Sequence, residues 1–143
     1  WITFPDPQMK KVRKRLTSTR FMNLYRKVLA PSGVVTLKTD SPFLYAYTGM
    51  MAEHNSIPVI DSSADIAATH PGHATLSILT HYERQWLARG IPSKFITMEA
   101  HKGAPELTEP EADIPYDTYR SYSRGYIQMP DLMQSKTIEN DEN

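Results

Sequence analysis

Apolar residues along the chain fall into short clusters separated by turn-forming residues, and the spacing within the clusters alternates between strand-like and helix-like. Trp1-Ile2-Thr3-Phe4 reads as a buried strand, and Asp6 to Leu16 has the proline and charge of a loop. Thr17 and Ser18 then offer hydroxyls for an N-cap. The helix that follows carries Phe21, Leu24, Tyr25, Val28 and Leu29 on one face until Pro31-Ser32-Gly33 ends it. Val34 to Thr39 is a strand rich in β-branched residues. Asp40-Ser41-Pro42 looks like a cap with proline in the first turn of a helix that runs to Glu53.

Ile57 to Ile60 reads as a short strand and Ser62 to Ala74 as a mixed segment broken at Pro71-Gly72. Ser77 to Ala88 reads as an amphipathic helix closed by Gly90, and Phe95 to Glu99 as another strand. Strands alternating with helices across mostly short connections indicate an α/β sheet. From Gly103 the texture changes, with prolines at 105, 110, 115 and 130, tyrosines at 116, 119, 122 and 126, and a polar ending from Ser135. The expected division is therefore a domain over residues 1–102 and a proline- and tyrosine-rich acidic tail over 103–143. The tyrosines offer a means of docking the tail on the domain, whereas its last residues lack the apolar mass to order themselves.

With 143 residues, 40% of them apolar, the chain has material for one globular core. Because a strand pattern begins at Trp1, the chain is expected to start inside a fold, as part of a longer protein. No apolar run approaches the roughly 18 residues of a membrane span, and no leader-like series opens the chain, so a cytoplasmic protein with no membrane partner is expected. The absence of cysteine excludes disulfides, thiol nucleophiles and thiolate metal sites. His70-x-x-His73 sits beside Pro71-Gly72 and reads as a loop, so no metal is expected.

The 16 basic and 16 acidic residues cancel, but they are segregated. Lys10, Lys11, Arg13, Lys14, Arg15, Arg20, Arg26 and Lys27 oppose Asp6 alone, while Glu106, Glu109, Glu111, Asp113, Asp117, Asp131, Glu139, Asp141 and Glu142 dominate the tail. A local basic patch, not overall charge, must recruit any polyanion.

Phe4-Pro5-Asp6-Pro7 is a strand leading into an acidic turn stiffened on both sides. In an open α/β sheet this places Asp6 at the strand's carboxyl end, where ligands bind. Taken alone, the same tetrapeptide serves equally as a turn stabilised by its aspartate. Lys10, Lys11, Arg13, Lys14 and Arg15 follow at once, a run that reads either as a solvated loop or as a phosphate-contacting one. Asp40 reads as a helix cap or as a ligand. Tyr82 and Trp86, four apart, read as core or as a stacking surface.

Phe-Pro-Asp-Pro, a basic loop ending Lys14-Arg15-Leu16-Thr17, a helix, a strand ending Thr39-Asp40, and Thr80-His81-Tyr82-Glu83 together resemble the tRNA (guanine-N7-)-methyltransferase family over residues 1–100. The resemblance implies the C-terminal half of a Rossmann-like class I S-adenosylmethionine-dependent methyltransferase sheet with flanking helices. It implies methyl transfer to N7 of a guanine in the variable loop of tRNA. By the same resemblance Asp6 is the active-site acid near the cofactor, Lys10, Asp40, Thr80, Tyr82 and Glu83 bind substrate, and Lys11, Arg13, Lys14 and Arg15 contact RNA. Gln8 replaces the family's usual tryptophan, and the basic loop is about two residues short of the family's. The acidic glycine-rich loop for the cofactor's methionine part is missing, so this chain by itself is expected to bind S-adenosylmethionine poorly. The alternative reading is a nonenzymatic RNA-binding module that uses the basic loop. An exposed sheet edge left without neighbouring strands would favour self-association.

Overall fold

The computed structural model describes residues 1–119. Residues 120–143 lie outside it, and with them the expectations for Tyr122, Tyr126 and the polar ending. Four strands, β1 (Ile2–Thr3), β2 (Val34–Thr39), β3 (Val59–Ser63) and β4 (Lys94–Glu99), form one sheet in the order β1-β2-β4-β3. β1 is parallel to β2, and β4 is antiparallel to both β2 and β3, so three strands share a direction and β4 is inserted against them. The parallel pair requires a crossover. It is supplied by the basic loop, with its 3-10 turn at Val12–Lys14, and by α1 (Thr19–Val28). α2 (Pro42–His54) joins β2 to β3, and α3 (Ile66–Thr69) and α4 (His81–Ala88) lie between β3 and β4. The result is a mixed α/β sheet with flanking helices.

Alternation along β2 and β4 sorts side chains to the two faces of the sheet. Val35, Leu37, Ile96 and Met98 pack with Met22 of α1 and with Leu44, Tyr47 and Met51 of α2 in the main core. Each such side chain, fully buried, stabilises the fold by roughly 1.5–3 kcal/mol. On the other face Phe95 joins Ile66 and Leu76 in a smaller cluster, and the hydroxyls of Thr36 and Thr97 bond each other at 2.9 Å.

Four local expectations are corrected. α1 does not bury the face of Leu24 and Val28, which are 45% and 80% exposed; its inward stripe is Met22, Tyr25, Arg26 and Leu29. Arg26 belongs there because its guanidinium donates to the carbonyls of Ala100, Lys102 and Ala104 at 2.7–3.0 Å. β3 begins at Val59, not Ile57, because the Ile57 N–H closes α2 by bonding Ala52 O, and proline at 58 has no N–H to donate. α4 begins at His81, not Ser77, since the carbonyls of Leu76 and Ile78 are taken by the Lys38 ammonium. The α2 cap is Ser41, whose hydroxyl accepts from Leu44 N, not Asp40.

Residues 104–119 form a strap laid across the domain. It leaves β4 at Gly103, where φ is +97° and a Cβ would come within 2.6 Å of Asn55 O, so only glycine fits. The Asn55 amide then bonds the Thr108 backbone in both directions, at 2.9 and 2.8 Å.

Candidate functional site

β1 and β2 end on the same edge of the sheet, and each is followed by an aspartate. Asp6 is exposed, and its carboxylate accepts from Gln8 N at 3.0 Å, an Asx turn that fixes its direction. The residues bracketing the turn, Phe4 and Gln8, are non-glycines with φ of 48° and 47°. Such backbone costs on the order of 1–3 kcal/mol per residue and is held only where surrounding contacts over-determine it. Here the Phe4 N–H bonds Lys38 O at 2.8 Å, while the Arg15 guanidinium takes the carbonyls of Gln8 and Met9 at 3.1 and 3.0 Å.

Arg15 is 8% exposed and lies against two rings, 4.8 Å from the centroid of Phe43 and 4.4 Å from that of Tyr47. It is therefore the pin of the basic loop and is not presented to solvent as a phosphate contact. Lys10, Lys11, Arg13 and Lys14 are exposed, and none makes an ion pair with another described residue. Of the four residues expected to contact RNA, Lys11, Arg13 and Lys14 thus point outward and Arg15 is an inward anchor, while Lys10, expected to bind substrate, is outward with the first three.

Asp40 is fully buried, and its carboxylate accepts from the Tyr119 hydroxyl at 2.9 Å. The Lys94 ammonium donates to Asp40 O at 3.3 Å and to Pro92 O at 2.9 Å. Burial lowers the Lys94 pKa, against the opposing pull of Asp40, Asp117 and Asp65.

Thr80 is the exposed N-cap of α4 and accepts from Glu83 N at 3.1 Å. Glu83 is 1% exposed; one of its oxygens accepts from Lys38 at 2.9 Å and the other from Ser93 at 2.7 Å. The Thr80-to-Glu83 motif is thus brought to the predicted edge, but its glutamate is engaged inside the protein as the structure stands. Its tyrosine faces outward. Tyr82 is 37% exposed, 5.5 Å from the Phe4 ring and 5.6 Å from the Trp86 ring, and Trp86 in turn is 5.0 Å from Tyr119. An aromatic row therefore runs from the Asp6 turn to Asp40.

The strap reaches this edge through two carboxylates on helix N-termini. Glu109 accepts from the Thr19 backbone and hydroxyl at 2.9 and 2.8 Å and from the Tyr47 hydroxyl at 2.5 Å. Asp117 accepts from Phe43 N at 3.0 Å and from the Ser41 hydroxyl. Both acids satisfy amides that a helix leaves unpaired, with the dipole in their favour. Burial, reinforced by Glu109, pushes the Tyr47 phenol well above its ordinary range. The sequence leaves Trp86 open between core and stacking and gives Tyr119 only a part in docking the tail, whereas Lys38, Glu109 and Asp117 carry no expected role. Their only local signal is an unusual residue type, a lysine inside a strand or acids in a proline-rich stretch, and their partners lie 45 to 90 positions away for Lys38, Glu109, Asp117 and Tyr119.

Residues 1–96 match the family described as "Putative methyltransferase". Over 125 residues the chain is 50% identical to the tRNA (guanine-N(7)-)-methyltransferase of Porphyromonas gingivalis, covering 87% of this chain and 51% of that protein. It is 48% identical over 124 residues to proteins of the same name from Bacteroides thetaiotaomicron and Bacteroides fragilis, covering 87% of this chain and 49% of each. The chain spans about half the length of the curated relatives it matches.

Proposed function

The chain belongs to the methyltransferase family that its first 96 residues match, and from that premise we propose that it takes part in methyl transfer from S-adenosylmethionine to N7 of a guanine in tRNA, in the cytoplasm. The observation that carries this is the placement of Asp6 and Asp40 at the carboxyl ends of two adjacent parallel strands, with four outward cations in the loop directly after Asp6. Guanine N7 bears a lone pair that is unprotonated at neutral pH, so no general base is required. What the protein must supply is alignment, together with negative charge near a base that becomes cationic. Asp6 and Asp40 supply the charge, and Lys10, Lys11, Arg13 and Lys14 hold the phosphate backbone. Thr80 and Tyr82 lie on the tRNA side of the cleft, while Glu83, tied to Lys38, holds α4 against β2.

The cofactor supplies a methyl group on a sulfonium. Among the described residues neither β1 nor β2 is followed by a glycine-rich turn, so the residues present do not form a complete cradle for it. Asp6 is the one site residue read as standing near it.

The test is transfer of labelled methyl from S-adenosylmethionine to unmodified bulk tRNA, with the product mapped to guanine N7. Asp6→Asn is expected to lower turnover by at least tenfold, and full turnover in that variant would refute the electrostatic role. A second reading, RNA binding without transfer, rests on the four outward cations of the basic loop, which need no cofactor to hold phosphates. Salt-dependent tRNA binding with no methylation would support it.

A further inference from the structure

We propose that the Asp40 pocket is a nucleobase site occupied by the chain's own Tyr119, and that engagement of RNA exchanges this phenol for a guanine. The inference rests on the function proposed above and adds a regulation of the same site.

Asp40 is 0% exposed, and the Tyr119 hydroxyl is among the groups set against its carboxylate, so a ligand reaches that oxygen only by displacing the phenol. The Tyr119 hydroxyl donates to both Asp40 O and Asp40 Oδ2, at 2.8 and 2.9 Å, while its ring lies 5.0 Å from Trp86 at an interplanar angle of 65°. One planar ring thus bridges an acidic acceptor and an aromatic wall. The Trp86 indole N–H is shielded from solvent and meets no acceptor among the described residues. A buried donor left unpaired is unfavourable and calls for an explanation. Guanine offers a flat ring, N1 and amino hydrogens for a carboxylate, and an O6 acceptor for a donor such as an indole N–H. Tyr119 reproduces the ring and the donated hydrogen, but its oxygen is turned to Asp40 and gives the Trp86 N–H no bond. The phenol therefore meets part of the pocket's demand, and guanine meets more of it.

The attachment of the strap allows the exchange. Its firm anchors are Glu109 on α1, Asn55 at Thr108 and Asp117 on α2, all before Tyr119. With these anchors kept, turning Tyr119 away from Asp40 is the movement that the exchange requires. A site whose competent form is fractionally populated binds more weakly by that fraction, so weakening the internal occupant raises apparent affinity.

The experiment is hydrogen–deuterium exchange by mass spectrometry on the whole protein with and without unmodified bulk tRNA, combined with tRNA affinity of wild type, Tyr119→Phe and Trp86→Phe. tRNA is expected to protect the segment at 8–15 and to speed exchange at 110–119. Tyr119→Phe, which loses the bond to Asp40, is expected to bind about two- to tenfold more tightly. Trp86→Phe, which keeps a ring but loses the N–H, is expected to bind more weakly. If tRNA protects 8–15 while 110–119 is unchanged or slowed, and Tyr119→Phe gains nothing, Tyr119 is a fixed wall: the inference is overturned and the tRNA reading stands. If 8–15 is not protected either, the tRNA reading fails and the inference with it. The wild-type exchange decides between these outcomes even where a variant folds poorly.

Discussion

Lys38 and Glu83 show how a single buried pair decides local structure. Lys38 Nζ has three acceptors, Leu76 O, Ile78 O and Glu83 Oε2, at 2.9–3.1 Å, and the two side chains are 5% and 2% exposed. Geometry this complete offsets desolvation, whereas removing one partner strands the other. Lys38→Met is therefore expected to lower the free energy of unfolding by about 3 kcal/mol in urea titration. A loss under about 1 kcal/mol would show that this pair does not hold α4. Tyr47 gives a prediction in pH. Its folded pKa lies above the unfolded value of about 10, so its contribution is fully present below pH ~10 and is lost as pH rises beyond it. Lys94 has the opposite sign, since its depressed pKa makes stability rise as pH climbs towards about 10.5. The difference between wild type and Tyr47→Phe isolates the phenol. Measured by chemical unfolding from about pH 8 to 11, that difference is expected to shrink above pH 10, and a constant difference would remove the ionisation from the account.

At the scale of elements, what was legible in the sequence was what is settled locally. The bounds of β2 and the start of α2 follow from β-branched residues and a Ser-Pro opening, and both stand where the sequence put them. The inward turn of Arg15 could not be read, because the rings that hold it arrive 28 and 32 positions later. The same limit hid the engagement of Glu83, although Thr80-x-x-Glu83 is also a helix-start signature that the position of Thr80 satisfies. This division of the basic loop has a consequence. Replacing Lys10, Lys11, Arg13 and Lys14 together by Ala is expected to flatten the dependence of log affinity on log salt for tRNA by up to about 3, at roughly 0.7–0.9 for each phosphate that is no longer neutralised. Arg15→Ala is expected to leave that slope nearly unchanged and instead to lower stability, since it unpins Gln8 and Met9 and uncovers two rings. Filter binding across a salt series, beside thermal unfolding of both variants, separates the roles. Equal slopes for wild type and the quadruple variant would remove the loop from the RNA surface.

Over the whole molecule, balanced charge conceals a division of labour. Glu109 and Asp117 are engaged at helix N-termini, so the acidic strap does not neutralise the outward cations beside Asp6. The strap is laid on the face of α1 and α2, which leaves the sheet's own edges unaddressed. Among the described residues β1 pairs only with β2, and Trp1 beside its outer edge is 65% exposed. At the far edge Val59 and Ile60 of β3 are 41% and 56% exposed. An open strand edge flanked by apolar side chains is a template for pairing with another chain. We therefore expect this chain to self-associate with rising concentration in sedimentation equilibrium, and Thr3→Lys, a charge on the exposed side of β1, to shift it towards monomer. β1 is only two residues long, which argues the other way, because few backbone groups are open to a partner. A chain that stays monomeric at every concentration would show that the brevity of β1 outweighs its exposure. Association insensitive to Thr3→Lys but abolished by a charge at Ile60 would move the contact to the β3 edge, away from the aspartates of the candidate site.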